Sequence, residues 1–209
     1  MGTLDRQKHW EKVYETKEIN EVSWFQEVPS TSLEFIKDLD LAETSGIIDI
    51  GGGDGFLVDN LISLGLKDIS VLDISGKAIN RAQKRLGSKA RSVKWIIADV
   101  VGFQPERKYD FWHDRATFHF LTDEKEIKQY VKTLESGIKP GGYLLIGTFS
   151  DQGPEKCSGL DVRQYSQKSL TDLLKDSFSP VRYITQDHTT PSGSIQNFLF
   201  GLFKRNEFY

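Results

Sequence analysis

At 209 residues the chain has the length of one large domain rather than two. Hydrophobic residues make up 38% and charged residues 27%, an ordinary globular composition with enough apolar material for a full core. The net charge of −3 speaks against a nucleic-acid partner, whose phosphates call for clustered Lys and Arg; Lys84, Arg85, Lys89, Arg91 and Lys94 read instead as a solvated helix end.

The single cysteine, Cys157, rules out an internal disulfide and suits a reducing compartment. No stretch approaches the roughly 20 apolar residues of a membrane span, and Met1 to Trp10 lacks the apolar core of a signal peptide. The expectation is a cytoplasmic protein with no membrane partner.

In chain order, Trp10, Val13 and Tyr14 share a helix face near the start. Val22-Ser23-Trp24-Phe25 follows, then a capped helix from Ser30 or Thr31 to Leu41. Gly46–Ile50 reads as a buried strand ended by glycines, and Phe56, Leu57, Leu61, Ile62 and Leu64 recur at helical spacing. Asp68–Asp73 is a second strand, with Ser75 the N-cap of a helix to Leu86 and Gly87. Val93–Ala98 is a third strand and Tyr109–His113 a fourth. Thr122 or Asp123 caps a helix to Ile138, and Pro140-Gly141-Gly142 turns into a strand over Tyr143–Phe149. A helix from Ser166 or Gln167 to about Asp176 precedes two runs, Val181–Thr185 and Phe198–Phe203, spaced as an antiparallel hairpin. Strands alternating with helices predict an α/β fold around a parallel sheet with right-handed crossovers.

The segment Asp49-Ile50-Gly51-Gly52-Gly53-Asp54-Gly55 carries the chemistry. A glycine-rich turn after the first strand lets backbone approach a ligand closely. A dinucleotide fingerprint would be Gly-x-Gly-x-x-Gly, but counting from Gly51 puts Phe56 where the third glycine must pack against the strand. Asp49, just upstream, would crowd a pyrophosphate and suits a cationic ammonium. Asp73, about 20 residues on, is placed to accept both ribose hydroxyls, and Asp99 to accept from an adenine amine. These features point to S-adenosylmethionine. A dehydrogenase and a catalytically silent cofactor-binding module are the alternatives.

The chain here resembles the class I, seven-strand Rossmann-like methyltransferases, from about Gly46 to Phe149. The resemblance implies a mostly parallel sheet of order 3-2-1-4-5-7-6 with helices on both faces, and Ile74 and Val100 beside the adenine. It implies cofactor contacts through Asp49, Gly51, Gly53, Gly55, Asp73, Asp99 and His113. Asp114-Arg115-Ala116-Thr117 is similar to the Asp-Lys/Arg-Gly-Thr string of two branches, protein-lysine methyltransferases of the translation-factor and citrate-synthase group and thiopurine-type S-methyltransferases. Ala116 stands where a glycine is usual. The opening His9-Trp10-x-x-x-Tyr14 and Ser23-Trp24-Phe25-Gln26 are similar to the segment both branches use as a cover, which makes Trp10, Tyr14, Trp24 and Phe25 lid residues.

The expected layout is one domain over 1–209: a helical lid over 1–45, a cofactor-binding core over 46–150, and a substrate-side loop, helix and edge hairpin over 151–209. Methyl transfer from a sulfonium is an in-line displacement in which positioning supplies much of the rate. Asp114 and His119, with His113, are candidate bases, and Arg115 a candidate anchor for an anionic substrate. The loop Gly153–Gly159 is expected to wall the pocket; Arg163 and Tyr165 face substrate or cap the next helix. The His113, Asp114 and His119 spacing is not that of a metal site. A small-molecule acceptor is favoured over a protein lysine, because a compact chain offers few docking surfaces.

Overall fold

The computed structural model describes residues 2–207. Two helices come first, α1 (Thr3–Thr16) and α2 (Ser30–Asp38). The alternating part follows: β1 (Gly46–Ile50), α3 (Leu57–Ser63), β2 (Asp68–Asp73), α4 (Gly76–Leu86), β3 (Val93–Ile97), β4 (Tyr109–Arg115), α5 (Glu124–Gly137) and β5 (Ile138–Phe149). A short ribbon, β6 (Lys156–Cys157) and β7 (Leu160–Asp161), leads to α6 (Gln167–Leu174) and the long strands β8 (Phe178–Thr189) and β9 (Ile195–Arg205).

Seven strands form one sheet in the order β3-β2-β1-β4-β5-β9-β8, parallel from β3 to β5 and antiparallel beyond. This is an α/β Rossmann-like arrangement. The order differs in its last two labels from the expected 3-2-1-4-5-7-6, because the β6–β7 ribbon precedes the edge hairpin and pairs only with itself.

Alternation along the strands builds two cores, since successive strand side chains point to opposite faces. Ile47 and Phe111 pack with Leu33, Phe35, Leu57 and Leu61 of α2 and α3. Ile48, Ile50 and Trp112 pack with Ile127, Tyr130 and Leu134 of α5 and Leu170 and Leu174 of α6.

Several local expectations shift. Ser75, Asp123 and Ser166 accept backbone N–H groups as the caps of α4, α5 and α6. At α2 the cap position falls on Pro29, which has no side chain to accept, and the helix stops at Asp38. β4 runs two residues further than predicted, to Arg115. Pro140-Gly141-Gly142 lies inside β5, whose pairing with β4 jumps from Tyr109–Ile138 to Phe111–Tyr143. Gly141, at φ 76°, absorbs the irregularity as a bulge. Among the described residues no helix is long and apolar enough to cross a membrane.

Candidate active site

Where strand order reverses, between β1 and β4, the crossovers leave to opposite faces and open a crevice at the strands' carboxyl ends. Two adjoining cavities occupy it. The larger, of about 720 Å³ including its mouth, is lined by Gly51, by Asp73 and Ile74 after β2, and by Asp99 and Val100 after β3. Arg115, Ala116, Thr117, Phe120 and Leu121 close its β4 side, and Trp10, Tyr14, Trp24 and Cys157 its outer side. The second, of about 530 Å³, is lined by Phe25, Asp49, Gly51, Gly55 and His113 among others. Gly51, Trp24 and Arg115 border both.

The glycine loop is shaped by close approach. Gly51 sits at φ 63°, and a Cβ there would lie 1.8 Å from Thr117 Oγ1. Gly53 sits at φ 51°, where a Cβ would lie 2.5 Å from the Tyr14 hydroxyl oxygen. Gly53 lines neither cavity; its smallness admits the lid tyrosine rather than a ligand.

The acids sit where the strands end. Asp73 accepts from the Ser75 N–H through Oδ1 at 2.7 Å. Burial, with the charges of Asp54, Asp49 and Glu11 adding, pushes its carboxyl up to about 7. Asp99 accepts from the Val101 N–H at 3.1 Å and lies 3.5 Å from Arg6, while its buried Oδ2 has no partner. A buried acceptor left open beside a cavity is the feature a donor group such as an adenine amine satisfies.

Asp49 belongs to a buried chain of three groups. Its Oδ1 is 2.7 Å from His113 Nδ1, and His113 Nε2 is 2.9 Å from Ser32 Oγ on α2. A carboxylate only accepts, so in the neutral imidazole Nδ1 carries the proton and the Ser32 hydroxyl donates to Nε2. His113 therefore orients Asp49 and has no free lone pair for an acceptor.

The end of β4 departs most from expectation. Asp114 points to the α5 face, because alternation pairs it with Trp112. It is fully buried, accepts from the Thr117 and Phe118 N–H groups, both at 3.1 Å, and from Tyr130 Oη at 2.5 Å. Burial raises its carboxyl to about 6. Those bonds shape the turn after β4, so Asp114 lies behind the cavities. His119 is fully buried too, with ring centroids 4.6 Å from Phe120 and 4.4 Å from Phe149, and accepts the Phe149 N–H through Nδ1. Burial and the Arg115 charge push its imidazole down to about 3, so it is neutral and walled off. The same alternation brings Arg115 to the cavity face. Its Nη1 donates to the Trp24 carbonyl at 3.0 Å, while Nε and Nη2 are buried without a hydrogen-bond partner.

The lid is fastened at many points. Glu11 accepts from the Gly76 and Lys77 N–H groups at the start of α4, and Arg81 donates to the Tyr14 and Lys17 carbonyls. Trp10 packs edge-on against Trp24 and Phe120, at 5.7 and 5.0 Å between centroids. Ser23 Oγ lies 3.8 Å from Cys157 Sγ, bringing the β6 ribbon against the lid as expected for a wall. Arg163 pairs instead with Glu124 at 2.5 Å, and Tyr165 is buried against Phe118, so neither faces the cavities. Arg6, Glu11, Ser32 and Arg81 took no part in the sequence reading; they act through tertiary contacts and carry no motif.

Comparison with known proteins accords with this geometry. Residues 47–142 match the family model of the methyltransferase domain. The matched stretch runs from β1 into β5, is similar to methyltransferase domains, and holds the glycine loop and the strand ends that line the crevice. A malonyl-[acyl-carrier protein] O-methyltransferase of Ilyobacter polytropus is 32% identical over 149 residues, 68% of this chain and 55% of that protein. The chain spans about half the length of this relative and of four others it matches. An EEF1A lysine methyltransferase 2 of Danio rerio is 24% identical over 213 residues, covering 95% of this chain and 82% of its own. The N-methyltransferase NodS of Bradyrhizobium japonicum, solved with S-adenosyl-l-homocysteine, shares the fold at a TM-score of 0.68, with 17% identity over 93% of this chain and 97% of that one.

Proposed function

We propose that this chain transfers a methyl group from S-adenosylmethionine to a small molecule by in-line displacement. The observation that carries the reading is the lining of the larger cavity's outer side by the edge-packed rings of Trp10, Trp24 and Phe120, with Cys157 beside them. A ring-walled chamber suits a compact acceptor, and the Arg115 guanidinium at its edge repels a lysine ammonium.

S-adenosylmethionine supplies an electrophilic methyl on a sulfonium. In this reading Asp73 accepts the ribose hydroxyls, Asp99 Oδ2 accepts the adenine amine, and Ile74 and Val100 pack beside the base. Asp49, held by His113, takes the ammonium, while the Gly51 backbone passes under the methionine tail. Trp10, Tyr14, Trp24 and Phe25 exclude water, and aromatic faces beside a sulfonium are attractive. Asp114 and His119 act as positioning groups: Asp114 holds the turn that carries Ala116 and Thr117, and His119 holds the end of β5.

The test uses S-adenosylmethionine labelled in its methyl group, incubated with a cell extract and the protein, and then separates macromolecules from small molecules. Label in the small-molecule fraction is expected. Label confined to protein lysines would replace this reading with the protein-lysine one.

A further inference from the structure

Arg115 is unusual among the charged groups of the chain. It borders both cavities, its guanidinium lies 5.1 Å over the Phe198 ring, and two of its nitrogens are buried with no acceptor among the described residues. Among the described residues it forms no ion pair, and the nearby Asp49 carboxylate is committed to His113. Burial lowers its pKa only to about 10, so it remains a cation at neutral pH. A desolvated, unpaired charge is costly, and an anion brought by a ligand offsets that cost.

A second observation stands independently. On the β4 side of the larger cavity the lining groups are Arg115, Ala116, Thr117, Phe120 and Leu121, with Trp10, Tyr14, Trp24 and Cys157 facing them, and burial pushes the Tyr14 phenol well up, away from the phenolate. None is a carboxylate or an imidazole. Thr117 Oγ1 donates to the Ile50 carbonyl, and burial pushes the Cys157 thiol up, away from the thiolate that would be needed for proton removal. Asp114, His113 and His119 are each occupied or walled off as described. An acceptor that must lose a proton to react finds no base here.

Together these features assign the acceptor. Resting on the small-molecule reading above, we propose that the acceptor is a carboxylate, gripped by Arg115 and converted to its methyl ester. One carboxylate oxygen takes the Nε and Nη2 hydrogens after a small rotation of the guanidinium; the other attacks. A new O–CH3 bond forms as the S–CH3 bond breaks, and its electron pair remains on sulfur. The products are a methyl ester and S-adenosylhomocysteine. No proton moves, which matches a β4 side with neither carboxylate nor imidazole, the cavity's Asp73 and Asp99 lying on the opposite side at the ends of β2 and β3.

The experiment treats the small-molecule products of the labelled incubation with mild alkali, which hydrolyses methyl esters to volatile methanol and leaves N-, S- and ether-linked methyl groups intact. The same assay is run on phenylacetate, phenethylamine, 4-ethylphenol, phenylmethanethiol and a malonyl thioester. Alkali-labile label from the extract and from carboxylates alone is expected. Alkali-stable label, or turnover of the amine, phenol or thiol, overturns the carboxylate assignment while leaving the small-molecule reading intact. Absence of ester from every carboxylate, with S-adenosylmethionine bound, overturns it as well.

The donor's own carboxylate is the competing source of the anion. Arg115→Met and Arg115→Lys are therefore titrated calorimetrically with S-adenosylhomocysteine and with 5′-methylthioadenosine, which lacks the amino-acid tail. Donor-product affinity within about threefold of the parent, with acceptor KM raised at least about 50-fold, is expected. A loss above tenfold for S-adenosylhomocysteine but not for 5′-methylthioadenosine would assign Arg115 to the donor and overturn the proposal.

Discussion

The ends of β2 and β3 and the end of β4 lie on one rim of one sheet, yet they are built differently. An acid stands at the end of β2 and another just past β3, each facing the larger cavity with an oxygen to spare, in Asp73 and Asp99. At the end of β4 the acid, Asp114, is consumed by the protein's own backbone and by Tyr130, and a cation, Arg115, reaches the cavity instead. The first region presents acceptors to a ligand rich in donors. The second presents donors to a ligand rich in acceptors. Polarity thus inverts across the rim, and under the proposed function it would tell the two substrates apart.

The sharpest way to break the comparison is at its pivot. Gly51→Ala puts a methyl into Thr117 at a backbone angle that disfavours side chains. Calorimetric titration should show S-adenosylhomocysteine affinity down by about 100-fold or more, about 2.7 kcal/mol. Retained affinity would mean the loop does not meet the donor. Next, Asp73→Ala should weaken donor binding by about 1–3 kcal/mol, roughly 5- to 150-fold. An equal loss for a donor analogue without ribose hydroxyls would remove that contact.

The acidity of Asp73 provides a third test. With its carboxyl near 7 in the free protein, the ionised acceptor form grows as pH rises. Donor affinity should climb by about fivefold between pH 6 and 7, reach about tenfold by pH 8 and level off above. Asp73→Asn should flatten that slope, and an unaltered slope in the variant would place the titrating group elsewhere.

His119 sharpens the other side. Its folded pKa, about 3, lies below the ordinary 6.5, so the unfolded chain takes up its proton first as pH falls. The folded state should lose up to about 1.4 kcal/mol per pH unit from this group below 6.5, measured by denaturant midpoints. In His119→Gln, whose amide oxygen can still accept the Phe149 N–H, that part of the slope should vanish.

The smallest effect is expected at Ala116, which sits at φ 65°. Ala116→Gly should relieve strain worth about 1–2 kcal/mol while adding about 0.5–1 kcal/mol of unfolded-chain entropy. A net gain between about 0 and 1.5 kcal/mol in chemical denaturation follows.

Much of the crevice along β1, β2 and β3 was legible because its information is local. A strand followed by Gly51-x-Gly53-x-Gly55, then Asp73 and Asp99 at successive strand ends, needs only spacing to be read. Even there, Gly53 proved to make room for Tyr14, a contact between residues 39 positions apart. The acceptor side was less legible because burial decides it. Asp114, Arg115 and His119 look equally able to do chemistry in a string of letters. Period-two alternation was the available signal: Asp114 shares a face with Trp112 and lands on α5, while Arg115 shares one with His113 and lands in the crevice. Ser32 and Arg6 had no such signal, since each reaches its partner across the fold.

The Ser32–His113–Asp49 chain bears on how the molecule comes apart. Ser32 belongs to α2, ahead of the first strand, and Asp49 opens the glycine loop. Peeling α2 away would strip a buried imidazole of its donor at the moment its carboxylate neighbour meets water. The expectation is that α2 unfolds together with β1 as one cooperative unit. Amide exchange in α2 should slow in step with that of β1 when the donor's product binds, and a chain begun at Gly46 should melt broadly rather than in one sharp transition.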